Sequence, residues 1–73
     1  MEVLDVTGLN CPLPILRTKK ALKTLAVGDL LQVIATDPGA VKDMDAFCRQ
    51  TGNELVEWMD EGGVYTFVIK RLS

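Results

Sequence analysis

Hydrophobic and polar positions alternate at the start of this chain and then change period. In EVLDVT (Glu2 to Thr7), Leu4 and Val6 fall on one side and Asp5 and Thr7 on the other, the two-residue repeat of a half-buried strand. From Pro12 to about Leu25 the repeat lengthens. Ile15, Thr18, Leu22 and Leu25 recur at three- and four-residue steps with Ala21 beside them, while Arg17, Lys19, Lys20 and Lys23 fall elsewhere. That spacing predicts an amphipathic helix with a basic outer face. Val27-Gly28-Asp29 interrupts the pattern, and LLQVIA (Leu30 to Ala35) predicts a second strand from its aliphatic and β-branched content.

Asp37 then reads as an N-cap with Pro38 at the first helical position, where the missing N–H has no partner to lose. The helix it opens, Pro38 to Thr51, buries Val41, Met44, Phe47 and Cys48, and Gly52 supplies its stop. ELVEWMD and VYTFVIKRL flank Glu61-Gly62-Gly63 and predict a hairpin. The order is βαβαββ. Connections this short put both helices on one face of a four-stranded mixed sheet, an α+β fold built as a two-layer α/β sandwich. Trp58, with Val56 on the same side of its strand, either completes the core or forms a patch on the face away from the helices.

A chain of 73 residues has room for one core, so residues 1–73 are expected to form a single domain. Its 48% hydrophobic and 25% charged residues are those of a soluble globular protein. No apolar run reaches the roughly 18 residues of a membrane span, and MEVLDV is acidic where a signal peptide is basic. A cytoplasmic location without membrane association is therefore expected. Two cysteines and no histidine make neither a disulfide scaffold nor an ordinary zinc site. Without histidine as a general base, chemistry falls to a thiol or to a partner's groups. A net charge of −2 and a pI near 4.9 argue against direct nucleic-acid binding.

The candidate chemistry lies in GLNCPLPILRTKK (Gly8 to Lys20), where a cysteine stands before two prolines at the start of a helix. With Cys11 as N-cap, Pro12 and Pro14 occupy the first and third helical positions, whose N–H groups go unpaired in any helix. Leu13 precedes a proline and is pushed from helical angles, so an irregular first turn is expected. The prolines stiffen the turn and fix the direction of Cys11. The free amides of Leu13 and Ile15 and the positive end of the helix dipole favour an anion there, and Arg17, Lys19 and Lys20 add screened attraction. On this reading Cys11 is biased toward thiolate, the nucleophilic form. The alternative is that Cys11 is a small residue filling a turn and that Pro-Leu-Pro only initiates a helix.

LDVTGLNCPLPILRTKKAL, followed by TDPGAVKDMDAFCRQTGNELVE, resembles the TusA/SirA-like family of small sulfur-carrier proteins over essentially the whole chain. The family's Cys-Pro-x-Pro motif is matched by Cys11, Pro12, Leu13 and Pro14, and its Asp-Pro turn by Asp37 and Pro38. The resemblance implies that Cys11 carries a persulfide, taking sulfur from a donor such as a cysteine desulfurase or a rhodanese and passing it to an acceptor protein, with no cofactor. Asn10 stands where a basic residue often precedes the cysteine, and Leu13 replaces the glutamate of members dedicated to tRNA thiolation. Molybdenum-cofactor assembly and sulfur oxidation are served by other relatives.

Cys48 falls on the apolar stripe of the second helix and reads as core rather than as a second relay thiol. If the first two strands are parallel, it lies far from Cys11 and no disulfide joins the two. Arg17, Lys19 and Lys20 are either a solvated face or contacts for a partner protein, whose approach such charge would steer. Asp43 and Asp45 read as surface residues. The rival to a carrier is a non-catalytic binding or regulatory module, and an RNA-associated one is suggested because a βαβαββ sandwich also resembles the C-terminal domain of translation initiation factor three.

Overall fold

The computed structural model describes all residues, Met1 to Ser73. The elements are β1 (Glu2–Val6), α1 (Leu13–Leu22), β2 (Leu30–Ala35), α2 (Ala40–Thr51), β3 (Glu54–Glu61) and β4 (Val64–Lys70). They form the α+β fold expected, two helices against a four-stranded mixed sheet of order β1-β2-β4-β3. β1 and β2 are parallel, with Val6 opposite Ala35, whereas β4 runs antiparallel to both β2 and β3. Each parallel strand therefore hands the chain to a helix that starts at the same end of the sheet. The β3–β4 hairpin turns at that end too, since Tyr65 pairs with both Ala35 and Asp60.

The core lies between sheet and helices. Alternate residues of the two central strands, Leu31, Val33 and Ala35 on β2 and Phe67 and Ile69 on β4, are fully buried with Val6 of β1. Across from them sit Thr18 and Leu22 of α1 and Ala40, Met44, Phe47 and Cys48 of α2. Each fully buried Leu, Phe or Met contributes about 1.5–3 kcal/mol, a large share of the stability of so small a domain. Ile15, Leu25 and Val41, the remaining members of the two predicted stripes, pack against this cluster half-buried. Thr18 is tolerated at the centre because its hydroxyl donates to the Pro14 carbonyl at 2.8 Å.

Both helix starts differ from expectation. α1 begins at Leu13 with Pro12 at the N-cap, so Cys11 precedes the cap instead of forming it, and Pro14 is the second helical residue. The cause is an extra turn, closed by the Leu13 N–H on the Asn10 carbonyl at 2.9 Å. Likewise the Ala40 N–H closes a turn on the Asp37 carbonyl at 2.9 Å, so Gly39 is the N-cap of α2 and Asp37-Pro38 lies ahead of it. α1 also ends at Leu22, beyond which Thr24 and Leu25 donate to the carbonyls three residues back. Gly52 ends α2 as expected, left-handed at φ 77°.

Strand β3 holds a second correction. A bulge between Leu55 and Glu57 places Leu55 opposite Ile69 and Trp58 opposite Phe67, so both face the helices. Val56 is the extra residue, and it does not share a face with Trp58 as simple alternation predicts. Trp58 stays 46% exposed, at the edge of the core rather than within it. Gly62 and Gly63, at φ 63° and 88°, make the tight turn to β4, and the Gly63 N–H donates to the Asp60 carboxylate at 3.0 Å.

Candidate functional site

Cys11 stands exposed in the turn between β1 and α1, at the end of the sheet where both helices begin. Several hydrogen bonds fix the backbone around it. The Leu9 N–H donates to the Val6 carbonyl at 3.2 Å, and the Gly8 N–H reaches across to the Thr36 hydroxyl at 2.8 Å. The Cys11 N–H donates to Asp37 Oδ2 at 3.0 Å, while Asp37 Oδ1 accepts from the Gly39 N–H at 3.3 Å. One carboxylate thus joins the loop after β1 to the turn before α2. The Cys11–Pro12 peptide bond is cis.

The amides proposed to stabilise an anion are not equally free. Leu13 spends its N–H on Asn10, Pro14 has none, and Leu16 donates to the Pro12 carbonyl at 3.1 Å. Ile15 is left with the one unpaired amide of the first helical turn. The expectation for Leu13 is therefore corrected. Its N–H closes the turn that carries Cys11 and is not available to an ion. Pro12 is exposed, whereas Pro14 is buried and anchors the helix start to the core.

The electrostatics also reverse the expected bias toward thiolate. The Cys11 thiol is held above its ordinary value, chiefly by a hydrogen-bonding interaction with the Asp43 carboxylate, then by desolvation and by the negative charges of Asp43 and Asp37. No cation contributes. Arg17, Lys19 and Lys20 are exposed on α1, and Lys19 and Lys20 lie in its last turn, about 9 Å along the axis from Leu13 at 1.5 Å per residue. Over that distance exposed charges are largely screened by ordinary salt, so the carboxylates prevail. Lys19 and Lys23 instead border a small depression with Leu22, Phe47, Thr51, Asn53, Arg71 and Ser73, at the far ends of the helices.

Asp43 is the residue that reading the sequence as surface missed. It sits in the first turn of α2, half-buried, and a Cβ at Gly39 would lie 3.7–3.9 Å from the carboxylates of both Asp37 and Asp43. The available signal was topological. Parallel β1 and β2 bring both helix starts to one end of the sheet, so acidic residues opening α2 lie at the same end as the cysteine that precedes α1. Cys48, by contrast, is buried in the last turns of α2, and both cysteines are free thiols. Burial, and next the charge of Asp45, pushes the Cys48 thiol up to about 11, as suits an inert core residue.

A family model described as sulfurtransferase TusA matches residues 2–71. This chain belongs to that family. Among TusA-like relatives, the sulfur carrier protein TusA of Allochromatium vinosum is 63% identical over 70 residues, covering 96% of this chain and 92% of its own. A putative sulfur carrier protein of Neisseria meningitidis is 58% identical over 69 residues, with coverage of 94% and 93%. The crystal structure of a SirA-like protein from Desulfitobacterium hafniense superposes with a TM-score of 0.86 at 25% identity, over the full length of both chains. The TusA-family match thus spans the Cys-Pro-Leu-Pro turn and the Asp37–Asp43 segment together. No helix of the chain is long and apolar enough to cross a membrane.

Proposed function

We propose that this protein is a cytoplasmic sulfur carrier that holds a persulfide on Cys11. The observation that carries the reading is an exposed, backbone-anchored cysteine in a chain matched by the TusA family over residues 2–71. The sulfur comes from a donor protein bearing a persulfide, such as a cysteine desulfurase or a rhodanese, and goes to an acceptor protein. In loading, the Cys11 sulfur attacks the donor's outer sulfur. A new S–S bond forms on Cys11, the donor's S–S bond breaks, and the proton lost by Cys11 balances the one gained by the donor's departing thiolate. Sulfur changes hands with no net oxidation, so no redox cofactor is called for.

The surrounding residues have roles that fit this cycle. Pro12 and Pro14 hold the turn stiff, and the unpaired Ile15 amide is available to an anionic sulfur. The outer sulfur of a persulfide stands about 2 Å beyond the Cys11 sulfur, further into solvent and into a partner's reach. Arg17, Lys19 and Lys20 form a basic face for donor or acceptor, acting on the encounter rate rather than on the thiol.

Intact-mass measurement after incubation with a cysteine desulfurase and free cysteine tests the assignment. Wild type and Cys48→Ser are expected to gain one sulfur that a reductant removes, and Cys11→Ser to gain none. An adduct that survives in Cys11→Ser and vanishes in Cys48→Ser rejects Cys11 as the carrier.

A further inference from the structure

We propose that the outer edge of β3 is a docking surface for a basic, extended segment of a partner protein, which adds to the sheet as a fifth strand. β3 ends the sheet order and is paired on one side only, by β4. Its other side presents backbone N–H and C=O groups in the row onto which a strand adds. Seven of its eight residues are exposed, and the eighth, Leu55, is half-buried. Past the bulge, Glu57 to Glu61 runs in regular register with Val68 to Val64. Glu57, Met59 and Glu61 therefore share the face turned away from the helices, and Trp58 and Asp60 the other. Trp58 and Met59 are both about half exposed, so the same short segment offers apolar area on each face.

Charge selects the occupant. β3 carries Glu54, Glu57, Asp60 and Glu61 and no basic residue. Lys70 stands opposite Glu54 in the register, and Asp60 accepts from the Gly63 N–H. The carboxylates of Glu57 and Glu61 have neither kind of partner, because the protein's one ion pair joins Arg49 to Asp45. They flank Met59 on one face, so the complement is a strand with two cationic side chains about an apolar one at alternate positions. A second copy of this chain does not offer it. Its β3 repeats the four acids, its other edge strand, β1, carries Glu2 and Asp5, and like charges across a strand pair repel. Its cations Arg17, Lys19 and Lys20 lie on α1, whose backbone groups are already spent within the helix. Cys11 stays uncovered. β1 leads to it at the opposite margin of the sheet, three strand spacings or about 14 Å away, so a partner held at β3 leaves the thiol open to a second protein.

The probe is the peptide acetyl-TKVVTKT-amide, which as a strand sets lysine, valine and lysine on one face in either direction. Trp58 is the chain's single tryptophan, so its fluorescence reports binding at β3. A saturable change is expected from this peptide and none from its acidic counterpart TEVVTET. The same peptide N-methylated at both valines keeps every charge but loses a ladder N–H whichever edge it presents, and it should not bind. Glu57→Gln/Glu61→Gln should weaken binding by about threefold or more, the scale of two cross-strand charge pairs. Glu2→Gln/Asp45→Asn, which removes the same charge elsewhere, should leave it unchanged, and so should Cys11→Ser. Amide shifts of the wild type, which need no variant, should move along Glu57 to Glu61 and stay still at Cys11. Absence of binding, equal binding of the N-methylated peptide, equal losses in the two double variants, or shifts centred on Cys11 or α1 overturn the proposal. So does sedimentation of the chain alone as an oligomer whose β3 amides resist exchange, since a second copy would then hold the edge. The peptide titration and the sulfur adduct are read on different residues, so either can fail alone.

Discussion

The Cys11 N–H and the Asp37 carboxylate meet at 3.0 Å across 26 residues of sequence, and this bond holds the cysteine loop against the rest of the protein. A charged acceptor in a partly exposed position contributes about 1–2 kcal/mol, so Asp37→Ala should lower stability by that amount in urea denaturation. Asp37→Asn keeps a side-chain oxygen in place and should lose less than half as much. Amide exchange at Cys11 separates a local from a global effect. It should accelerate in Asp37→Ala more than exchange at Leu31 or Ile69, which pair in the sheet centre. Uniform acceleration would mean that the bond serves the whole fold and not the loop.

Trp58 and Phe67 stack with centroids 6.4 Å apart and planes inclined by 30°, directly opposite one another on β3 and β4. Phe67 is fully buried and Trp58 about half exposed, so the indole acts as a lid on the open side of the core. Trp58→Ala should cost about 1–2 kcal/mol, from lost stacking and from water admitted to Phe67. Val56→Ala, on the exposed bulge two residues earlier, should stay within about 0.5 kcal/mol of wild type. Denaturant midpoints decide between them, and equal losses would mean that the bulge residue packs as tightly as the ring.

What the sequence revealed and what it hid divide along a physical line. Leu4 and Val6, Met44 and Phe47, and the Gly62-Gly63 turn were legible because period and turn chemistry act between near neighbours. The bulge at Val56 was not, because two residues opposing one is a property of the β3–β4 pair, and nothing in ELVEWMD marks the slip. The cap of α1 was misplaced by one residue, since Cys11 and Pro12 compete for that position and the bond from Leu13 to Asn10 decides it. Cys11 could be picked out from its flanking prolines. Its electrostatic setting could not, because Asp37 and Asp43 come to its end of the sheet only through the parallel pairing of β1 with β2.

Cys48 should leave its own mark on stability at alkaline pH. Its thiol is raised from 9.0 to about 11 in the folded protein, so the folded state holds a proton that the unfolded state releases first. The stabilisation is complete below about pH 9 and drains away as pH climbs through 11. Cys48→Ala should cost about 1 kcal/mol at pH 7 through lost packing. The gap between the two proteins should then narrow from pH 9 upward. Denaturation midpoints at pH 7, 9 and 10.5 check this, and a constant gap would show that the core thiol does not titrate in that range.

Thr18 offers the sharpest test of what the core asks for at the start of α1. It is fully buried, and its hydroxyl donates to the Pro14 carbonyl, which in helical geometry also receives the Thr18 N–H. Removing the hydroxyl therefore strands no buried acceptor. Thr18→Val keeps the shape and discards a polar group, and it should fall within about 0.5 kcal/mol of wild type. Thr18→Ala opens a void at a fully buried position and should cost about 1–2 kcal/mol. If the valine protein instead loses as much as the alanine protein, the Thr18–Pro14 bond itself secures the first turn.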